Sequence, residues 1–255
     1  MRSLVILVGL CLCALAAFGQ TDRGTITGAV ADPAGAVVAN APIQIKNTQT
    51  GAVYQAASSD TGNYTLPQLP VGVYELTVTV AGFKKFVRQN ITVQATQTVR
   101  VDVTLEVGSA TESVTVSAET SLLKTESSDV SVNVTGDRLV NLGVLPIGNG
   151  FSSSHGVRNP MAVSTLSPGT YFDPNLNIRV NGAPSNTESV RVEGQDVTNG
   201  VVTFSQAQTQ PSVEALQELT VQSSNFAAEF GQAGAGVFNY TVKSGTNNFH
   251  GSLFD

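Results

Sequence analysis

The stretch PSVEALQELTVQSSNFAAEFGQAGAGVFNYTVK, residues 211–243, decides how the second half of this 255-residue chain is expected to fold. Pro211 loses no hydrogen bond in the first turn of a helix, and the apolar residues after it recur at helical spacing. These residues are Val213, Leu216 and Leu219. Leu219 and Val221 then alternate with polar neighbours, as in a β-strand. The stretch therefore predicts a short amphipathic helix from about Pro211, followed by a strand.

A glycine-rich crossing and a second strand complete the stretch. Glycine permits positive φ angles and close approach of two chain segments. The glycines of the crossing are Gly231, Gly234 and Gly236. Beyond them, Phe238, Tyr240 and Val242 point to one side, while the polar residues between them point to the other. This second strand is therefore expected to bury one face.

This order of residues resembles the closing signature of the plug domain in TonB-dependent outer-membrane receptors. The resemblance rests on the pair Phe230-Gly231, the glycine run 234–236 and the final strand at residues 239–243. The tail SGTNNFHGSLFD, residues 244–255, resembles the passage from plug to barrel in the Oar-like branch, which carries an extra N-terminal sandwich domain. Such receptors have a barrel of about 22 strands around a plugged lumen. The resemblance implies that the barrel is absent from this chain and that residues 244–255 are the truncated start of its first strand.

Residues 1–19 have the layout of a secretory signal peptide. Arg2 precedes an apolar run at residues 4–18, and small residues follow the run. The run is too short to span a bilayer comfortably. Cleavage is expected after Gly19, with cleavage one residue later as the alternative. Both cysteines of the chain lie inside this run, so the exported part is expected to contain none.

Charge and composition exclude several classes of function. Removing residues 1–19 takes away one arginine and no acid, which leaves 12 basic against 19 acidic residues. This negative balance argues against a nucleic-acid partner, and the dispersed acids indicate a solvated surface. The sequence shows no nucleophile–histidine pair, no paired carboxylates and no phosphate-binding loop. It therefore predicts no enzyme, no catalytic residue, no cofactor and no metal site.

Residues 20–108 are predicted to form an antiparallel β-sandwich of about seven strands. Apolar residues alternate with polar residues at 74–80 and again at 99–105, so each of these strands can bury one face. Turn residues such as those at 32–35 and 60–63 separate the strands. No amphipathic helix of three turns occurs in this part of the sequence, which favours two packed sheets.

The sandwich region resembles the carboxypeptidase regulatory-like domain, with its carbohydrate-binding-like, prealbumin-type fold. The resemblance rests on SDTGNYTLPQLPVGVY at residues 59–74, on Gly82-Phe83, and on the opening at residues 27–42. That domain is an accessory module and not a peptidase. A zinc peptidase needs two histidines and a glutamate around its metal, whereas the two histidines here lie in different regions.

The linker at residues 109–120 is predicted to contain one extended segment, in which valines alternate with polar residues outside the sandwich. The ESVTVSA segment, residues 112–118, resembles the TonB box, which lies between the extra domain and the plug in this branch. Its residues are Glu112, Ser113, Val114, Thr115, Val116, Ser117 and Ala118. Free backbone groups allow such a segment to add as a strand to a partner's sheet, which implies a TonB-type energy-coupling protein as partner. The alternative is that the segment is the last sandwich strand or the first plug strand.

Residues 121–243 are predicted to form an α+β plug domain with a small mixed sheet. Val130, Val132 and Val134 indicate a strand, and residues 136–142 resemble the short helix and turn of the family. Two further strand-and-turn pieces are expected at residues 178–182 and 190–196.

Arg179 fits an arginine of the family's plug and is the candidate for docking to the barrel. The sequence departs from the family at Thr220 and Ser223, where receptors often carry Glu and Arg that pair with barrel charges. The loops at residues 152–177 and 204–210 are long enough to reach the top of a barrel and meet a substrate. Solvated loops without a ligand role are the alternative.

Two classes of function stay open. The first is the N-terminal portion of an outer-membrane transporter, with its sandwich on the periplasmic side, its own barrel as partner, and a carbohydrate or peptide as substrate. The second is a secreted or cell-surface protein that binds carbohydrate or mediates adhesion without transport. A reading frame that continues past codon 255 with strands of about ten residues would favour the first class. A stop codon and a stable secreted product would favour the second.

Overall fold

A computed structural model describes residues 23–109, 112–117, 126–142, 160–172, 178–184, 187–198, 211–231, 233–249 and 251. The predicted signal peptide and the loop at 204–210 lie outside the described residues. The fold is mostly β, as the sequence predicts, with one short α-helix in the described ranges. No helix within these ranges is both long enough and apolar enough to cross a bilayer.

Nine strands form the N-terminal sheets. They are β1 (Gly24–Ala31), β2 (Pro42–Asn47), β3 (Val53–Ala57), β4 (Asn63–Leu69), β5 (Gly72–Val78), β6 (Lys85–Val93), β7 (Thr98–Arg100), β8 (Val103–Thr104) and β9 (Ser113–Ser117). One sheet has the order β4-β1-β7, with β8 also paired to β1, and the other has the order β3-β2-β5-β6-β9. The strands β7 and β8 pair with successive parts of β1 and together take the place of one strand. The elements β1–β8 therefore make the sandwich of about seven strands that the sequence predicts.

Most neighbouring sandwich strands are antiparallel, but three pairs are parallel. These pairs are β1 with β7, β1 with β8, and β6 with β9. A parallel pair requires a long connection. That condition is met for β7 and β8, because the rest of the sandwich separates them from β1 in sequence.

The two sheets enclose one hydrophobic core. In β1 and β5 every second residue is buried, which is the period-two pattern expected from the sequence. Completely buried side chains come from both sheets. They include Ile26, Ile43, Ile45, Leu69, Tyr74, Leu76, Ile91 and Leu105. Burying an aliphatic side chain of this size stabilises a fold by about 1.5–3 kcal/mol, so the sandwich has a substantial core of its own.

β1 crosses closest to a neighbouring chain segment at Gly28. A Cβ atom at this position would lie 2.0 Å from the carbonyl oxygen of Val101. The backbone of Val101 is fixed there, since its N–H donates to Thr27 O over 2.7 Å and its carbonyl accepts from the Tyr64 hydroxyl over 2.6 Å. Burial raises the pKa of Tyr64, which keeps the hydroxyl protonated as a donor. This crossing requires glycine because there is no room for a side chain.

The isolated sandwich, residues 24–107, is expected to fold without the rest of the chain. It contains both facing layers of the core and needs neither a disulfide nor a metal. Urea unfolding should be cooperative, and the amide resonances of the isolated segment should be dispersed. A gradual melt with collapsed resonances would show that the sandwich depends on contacts with residues beyond 107.

The C-terminal unit, defined here as the described residues from 126 to 249, contains a mixed sheet, as predicted. Its elements are β10 (Val130–Thr135), α1 (Gly136–Asn141), β11 (Thr170–Phe172), β12 (Ile178–Val180), β13 (Ser189–Val192), β14 (Gln195–Asp196), β15 (Leu216–Ser224) and β16 (Val237–Val242). The main sheet has the order β10-β15-β16-β13-β14, in which only β13 and β16 are parallel, and β11 pairs with β12. Three 3-10 turns lie at Pro160–Leu166, Val213–Ala215 and Ala228–Phe230.

The helix predicted from Pro211 is wrong apart from one 3-10 turn at Val213–Ala215. Leu216 and Leu219 belong to β15, which pairs with β10 on one side and with β16 on the other. As a central strand, β15 buries both of its faces, and a strand buried on both faces lacks a clear period of two. The spacing of its leucines therefore looks helical although the segment is extended.

Candidate functional site

The ESVTVSA segment lies on the sandwich, where its residues 113–117 form the edge strand β9. Its register runs from Ser113 opposite Lys85 to Ser117 opposite Gln89 in β6. The prediction that this segment lies outside the sandwich is wrong for the described residues. The physical reason is that β6 would otherwise end the sheet with unpaired backbone groups, which an adjacent extended segment can satisfy. Ala118 lies outside the described residues, and the assignment of the segment as a TonB box stays a prediction.

Backbone bonds hold β9 in place, with little help from side chains. The N–H of Lys85 donates to Glu112 O over 2.9 Å at the start of the ladder. Val114 is half-buried, whereas Ser113, Thr115 and Val116 are exposed. The ammonium of Lys84 lies 3.7 Å from a carboxylate oxygen of Glu112, but both side chains are solvated, so this ion pair adds at most about 1 kcal/mol. The docking of β9 is therefore weak per residue.

The sandwich also contacts the C-terminal unit through the loop at residues 94–97, which joins β6 to β7. The N–H of Ala95 donates to Glu218 Oε1 over 3.3 Å. The amide of Asn133 donates to Gln94 Oε1 over 2.7 Å, and the amide of Gln222 donates to Thr96 Oγ1 over 3.4 Å. The 94–97 loop thus covers one face of the main C-terminal sheet.

That face of β15 is polar and buried. Glu218, Thr220 and Gln222 point to it, opposite the apolar face that carries Leu219 and Val221. Glu218 is only 2% exposed, and its Oε1 also accepts from the hydroxyl of Thr220 over 2.9 Å. A buried carboxylate is tolerated only when hydrogen bonds replace its water. The 94–97 loop therefore supplies one of the hydrogen bonds that Glu218 needs in its buried position.

Further contacts between the units lie at the surface. Arg100 lies 3.5 Å from Glu126. The amide of Asn247 donates to Thr50 O over 2.8 Å, so the chain leaves the C-terminal unit beside a sandwich turn. A cleft of about 180 Å³ lies between the units. It is lined by Arg23, Pro70, Val71, Glu193, Gln217, Thr241, Val242 and Ser244.

Arg179, the candidate for docking to a barrel, lies in β12. It is half-buried and donates from Nη1 to Ala183 O over 3.3 Å. Thr220 and Ser223 are both buried, and the Ser223 hydroxyl donates to Val130 O over 3.4 Å.

Three buried charged residues were missed by sequence reasoning, namely Glu188, Arg191 and Glu218. Arg191 in β13 is 3% exposed, and its guanidinium carbon lies 4.8 Å from the ring centroid of Phe230. It also donates to Ser189 Oγ and to Gly194 O, each over 3.3 Å. The sequence does contain a signal for the burial of Arg191, because this charged residue lies between two valines of a strand. On the amphipathic helix predicted from Pro211, Glu218 would lie opposite the apolar face.

Within the ranges that the structure describes, no group of three or more His, Cys, Asp or Glu side chains could hold a metal ion. The features with a specific arrangement are the docked β9 strand and the polar contact through Glu218. Both concern how parts of the chain attach to each other, and neither has the geometry of a reaction centre.

Residues 25–106 match the family described as the carboxypeptidase regulatory-like domain. This match defines the sandwich as a domain of that class. Over 245 residues, or 94% of its length, the chain is 30% identical to the TonB-dependent transporter Oar of Myxococcus xanthus. These two matches make the chain similar to the N-terminal part of an Oar-like TonB-dependent receptor. The chain spans 22% of the length of that relative.

Two solved structures that resemble this chain each cover about a third of it. The Bacillus anthracis TIE protein is 21% identical and covers 34% of this chain and 17% of its own, with a TM-score of 0.30. A protein titled as a putative carbohydrate binding protein from Bacteroides uniformis ATCC 8492 is 18% identical and covers 33% of this chain and 41% of its own, with a TM-score of 0.29. Similarity this low carries nothing about function.

Proposed function

We propose that this chain forms the N-terminal portion of a TonB-dependent outer-membrane transporter, in which the ESVTVSA segment couples to a TonB-type protein. The observation that carries this proposal is the 30% identity to a TonB-dependent transporter over 94% of the chain. A match of that length spans the sandwich, the C-terminal unit and the segment between them. A shared accessory domain alone would match only residues 25–106.

Each part of the chain has its own role in this proposal. Residues 1–19 direct export, and residues 20–108 are an accessory binding or interaction domain on the periplasmic side. Residues 109–120 are the linker that contains the coupling strand. Residues 121–243 are the plug that gates uptake, and residues 244–255 lead into a barrel in the outer membrane.

The chemistry of the coupling step is strand addition. Most residues of the ESVTVSA segment are β-branched or small, which suits an extended conformation. Main-chain hydrogen bonds to a partner's sheet would supply the grip, and the side chains of Val114 and Val116 would supply specificity. Tension on the segment, drawn from the inner-membrane proton gradient, would then act on the plug.

Cysteine cross-linking in cells tests this function. The exported chain is expected to lack native cysteine, so Thr115→Cys places one exposed thiol in the middle of β9. With a TonB-type protein that carries a cysteine in its periplasmic domain, the complete receptor should form a mixed disulfide. The matched control is Gln55→Cys, because Gln55 is also exposed and lies in β3 at the opposite edge of the same sheet.

A disulfide adduct at residue 115 and none at residue 55 would support the coupling role. Equal labelling at both positions would show that the adduct reflects random collision. A protein recovered from the culture medium, with no adduct at either position, would favour the binding or adhesion role instead.

A further inference from the structure

The ESVTVSA segment already uses one of its backbone edges within the sandwich. Five consecutive residues, Ser113–Ser117, stand in register with five residues of β6. A strand has two edges, and a partner that adds to a sheet uses one of them. The segment is therefore not a free peptide in this structure. Its proposed role nevertheless requires a coupling protein to bind it.

One of the two side chains suited to specific recognition is partly covered by the sandwich. Val114 is half-buried on the register position of the core residue Phe86, whereas Val116 is 38% exposed. A partner that reads alternate side chains would need both valines. Access to Val114 requires β9 to leave β6.

The connection to β9 keeps the strand close to its docking edge. The strand β8 ends at Thr104, and residues 105–109 lie beside the β5–β6 connection. Within this stretch, the N–H of Lys84 donates to Glu106 O over 2.8 Å, and the N–H of Gly108 donates to Gly82 O over 3.2 Å. A short, anchored tether gives a high effective concentration, so a weak strand stays docked and still exchanges.

We infer that β6 is a resting dock for the ESVTVSA segment, so that the segment alternates between a sandwich-bound state and a released state that the coupling protein binds. The sandwich is in this sense an autoinhibitory domain, because docking on β6 covers the side chain of Val114 and occupies one backbone edge of the segment. This inference rests on the proposed function of the segment. It adds a regulatory role for the sandwich to that function.

Engineered disulfides test the dock. Val87 and Thr115 are register partners in the middle of the β6–β9 ladder, so their side chains lie on the same side of the sheet. The double variant Val87→Cys/Thr115→Cys should close a disulfide that locks β9 onto β6. A second pair, Lys85→Cys with Ser113→Cys, are register partners two residues earlier and provide an independent lock.

The binding probe is the purified periplasmic domain of a TonB-type protein, titrated onto the 255-residue chain without its signal peptide. The oxidised form of either lock should bind the probe at least about tenfold more weakly than the reduced form, because the lock removes the released state. The matched control is Gln44→Cys/Gln55→Cys, two exposed register partners in β2 and β3. Oxidation of this control should leave the affinity unchanged.

Each outcome decides a different point. Failure of both locks to oxidise, while the control pair oxidises, would overturn the docking of β9. Oxidised locks that bind as tightly as the reduced forms would overturn the competition, since the partner would then be using the outer edge of a docked β9. If the wild type and the reduced variants all fail to bind the probe, the coupling role itself is wrong. Locks that still oxidise in that case would show that β9 is docked as a purely structural strand.

Discussion

The variant Gly28→Ala is expected to destabilise the sandwich strongly. The added Cβ would lie 2.0 Å from the carbonyl oxygen of Val101 and 3.0 Å from the ring of Tyr64. Neither neighbour can move freely, because hydrogen bonds fix both of them to each other and to β1. Overpacking against side chains typically costs about 1–3 kcal/mol. Because the obstacle here is backbone, we expect a loss of about 3 kcal/mol or more in the free energy of unfolding of residues 24–107, measured by urea titration.

The matched control is Gly35→Ala. Gly35 has a φ of 84°, and no atom lies within 4 Å of a Cβ built there. Alanine at this position should therefore show only the cost of a left-handed backbone, about 1 kcal/mol. A Gly28→Ala variant that is no less stable than Gly35→Ala would contradict the close approach of β1 to Val101.

Val114→Pro is expected to abolish energised uptake by the complete receptor while surface binding of its substrate continues. Proline removes a backbone donor from the middle of the ESVTVSA segment and fixes its φ angle. The segment could then complete neither the ladder with β6 nor a ladder with a coupling protein. Uptake and binding should be measured on the same cells, with and without an uncoupler of the proton gradient.

The control at the same position is Val114→Thr, which keeps the backbone donor and a β-branched side chain. It should transport at close to the wild-type rate. Uptake by Val114→Pro at the rate of Val114→Thr would refute the role of the segment in coupling.

The sandwich could be predicted from the sequence because its strands have one buried and one solvated face. This is why the alternation from Tyr74 to Val78 indicated the correct strand. The turns could also be predicted from their residues. Asp32 Oδ1 accepts from the N–H groups of Ala34 and Ala36. Gly35 and Gly62 take positive φ angles. In these places the local chemistry alone specifies the conformation.

Prediction failed where burial depends on distant parts of the chain. Leu216 and Leu219 have helical spacing, yet pairing with two other strands makes them part of β15. For the same reason Glu218, which an amphipathic helix would expose, is buried beside a loop that lies 123 residues away in sequence at Ala95. Local spacing does not report such pairings.

The candidate site was predictable in part. The alternation of Val114 and Val116 correctly predicted an extended segment between the two units. It could not predict that the segment pairs with β6, because a parallel pairing has no hairpin turn to announce it. Arg191 was overlooked because its partner, the ring of Phe230, lies in a different part of the sequence.

The strand β6 connects the docked β9 to the buried Glu218 contact, so that force on one would reach the other. Its first half lies beside β9, it ends at Val93, and the next residues are the 94–97 loop that contacts Glu218 and Asn133. Tension on a docked β9 would load its ladder with β6 in shear and pass through β6 into the buried face of β15. Tension on a released segment would instead pass only along the covalent chain that leads to β10. The same force would therefore pass through a stiff β-ladder when β9 is docked and through the covalent chain alone when β9 is released. Docking of β9 on the sandwich would thus determine how force reaches the C-terminal unit.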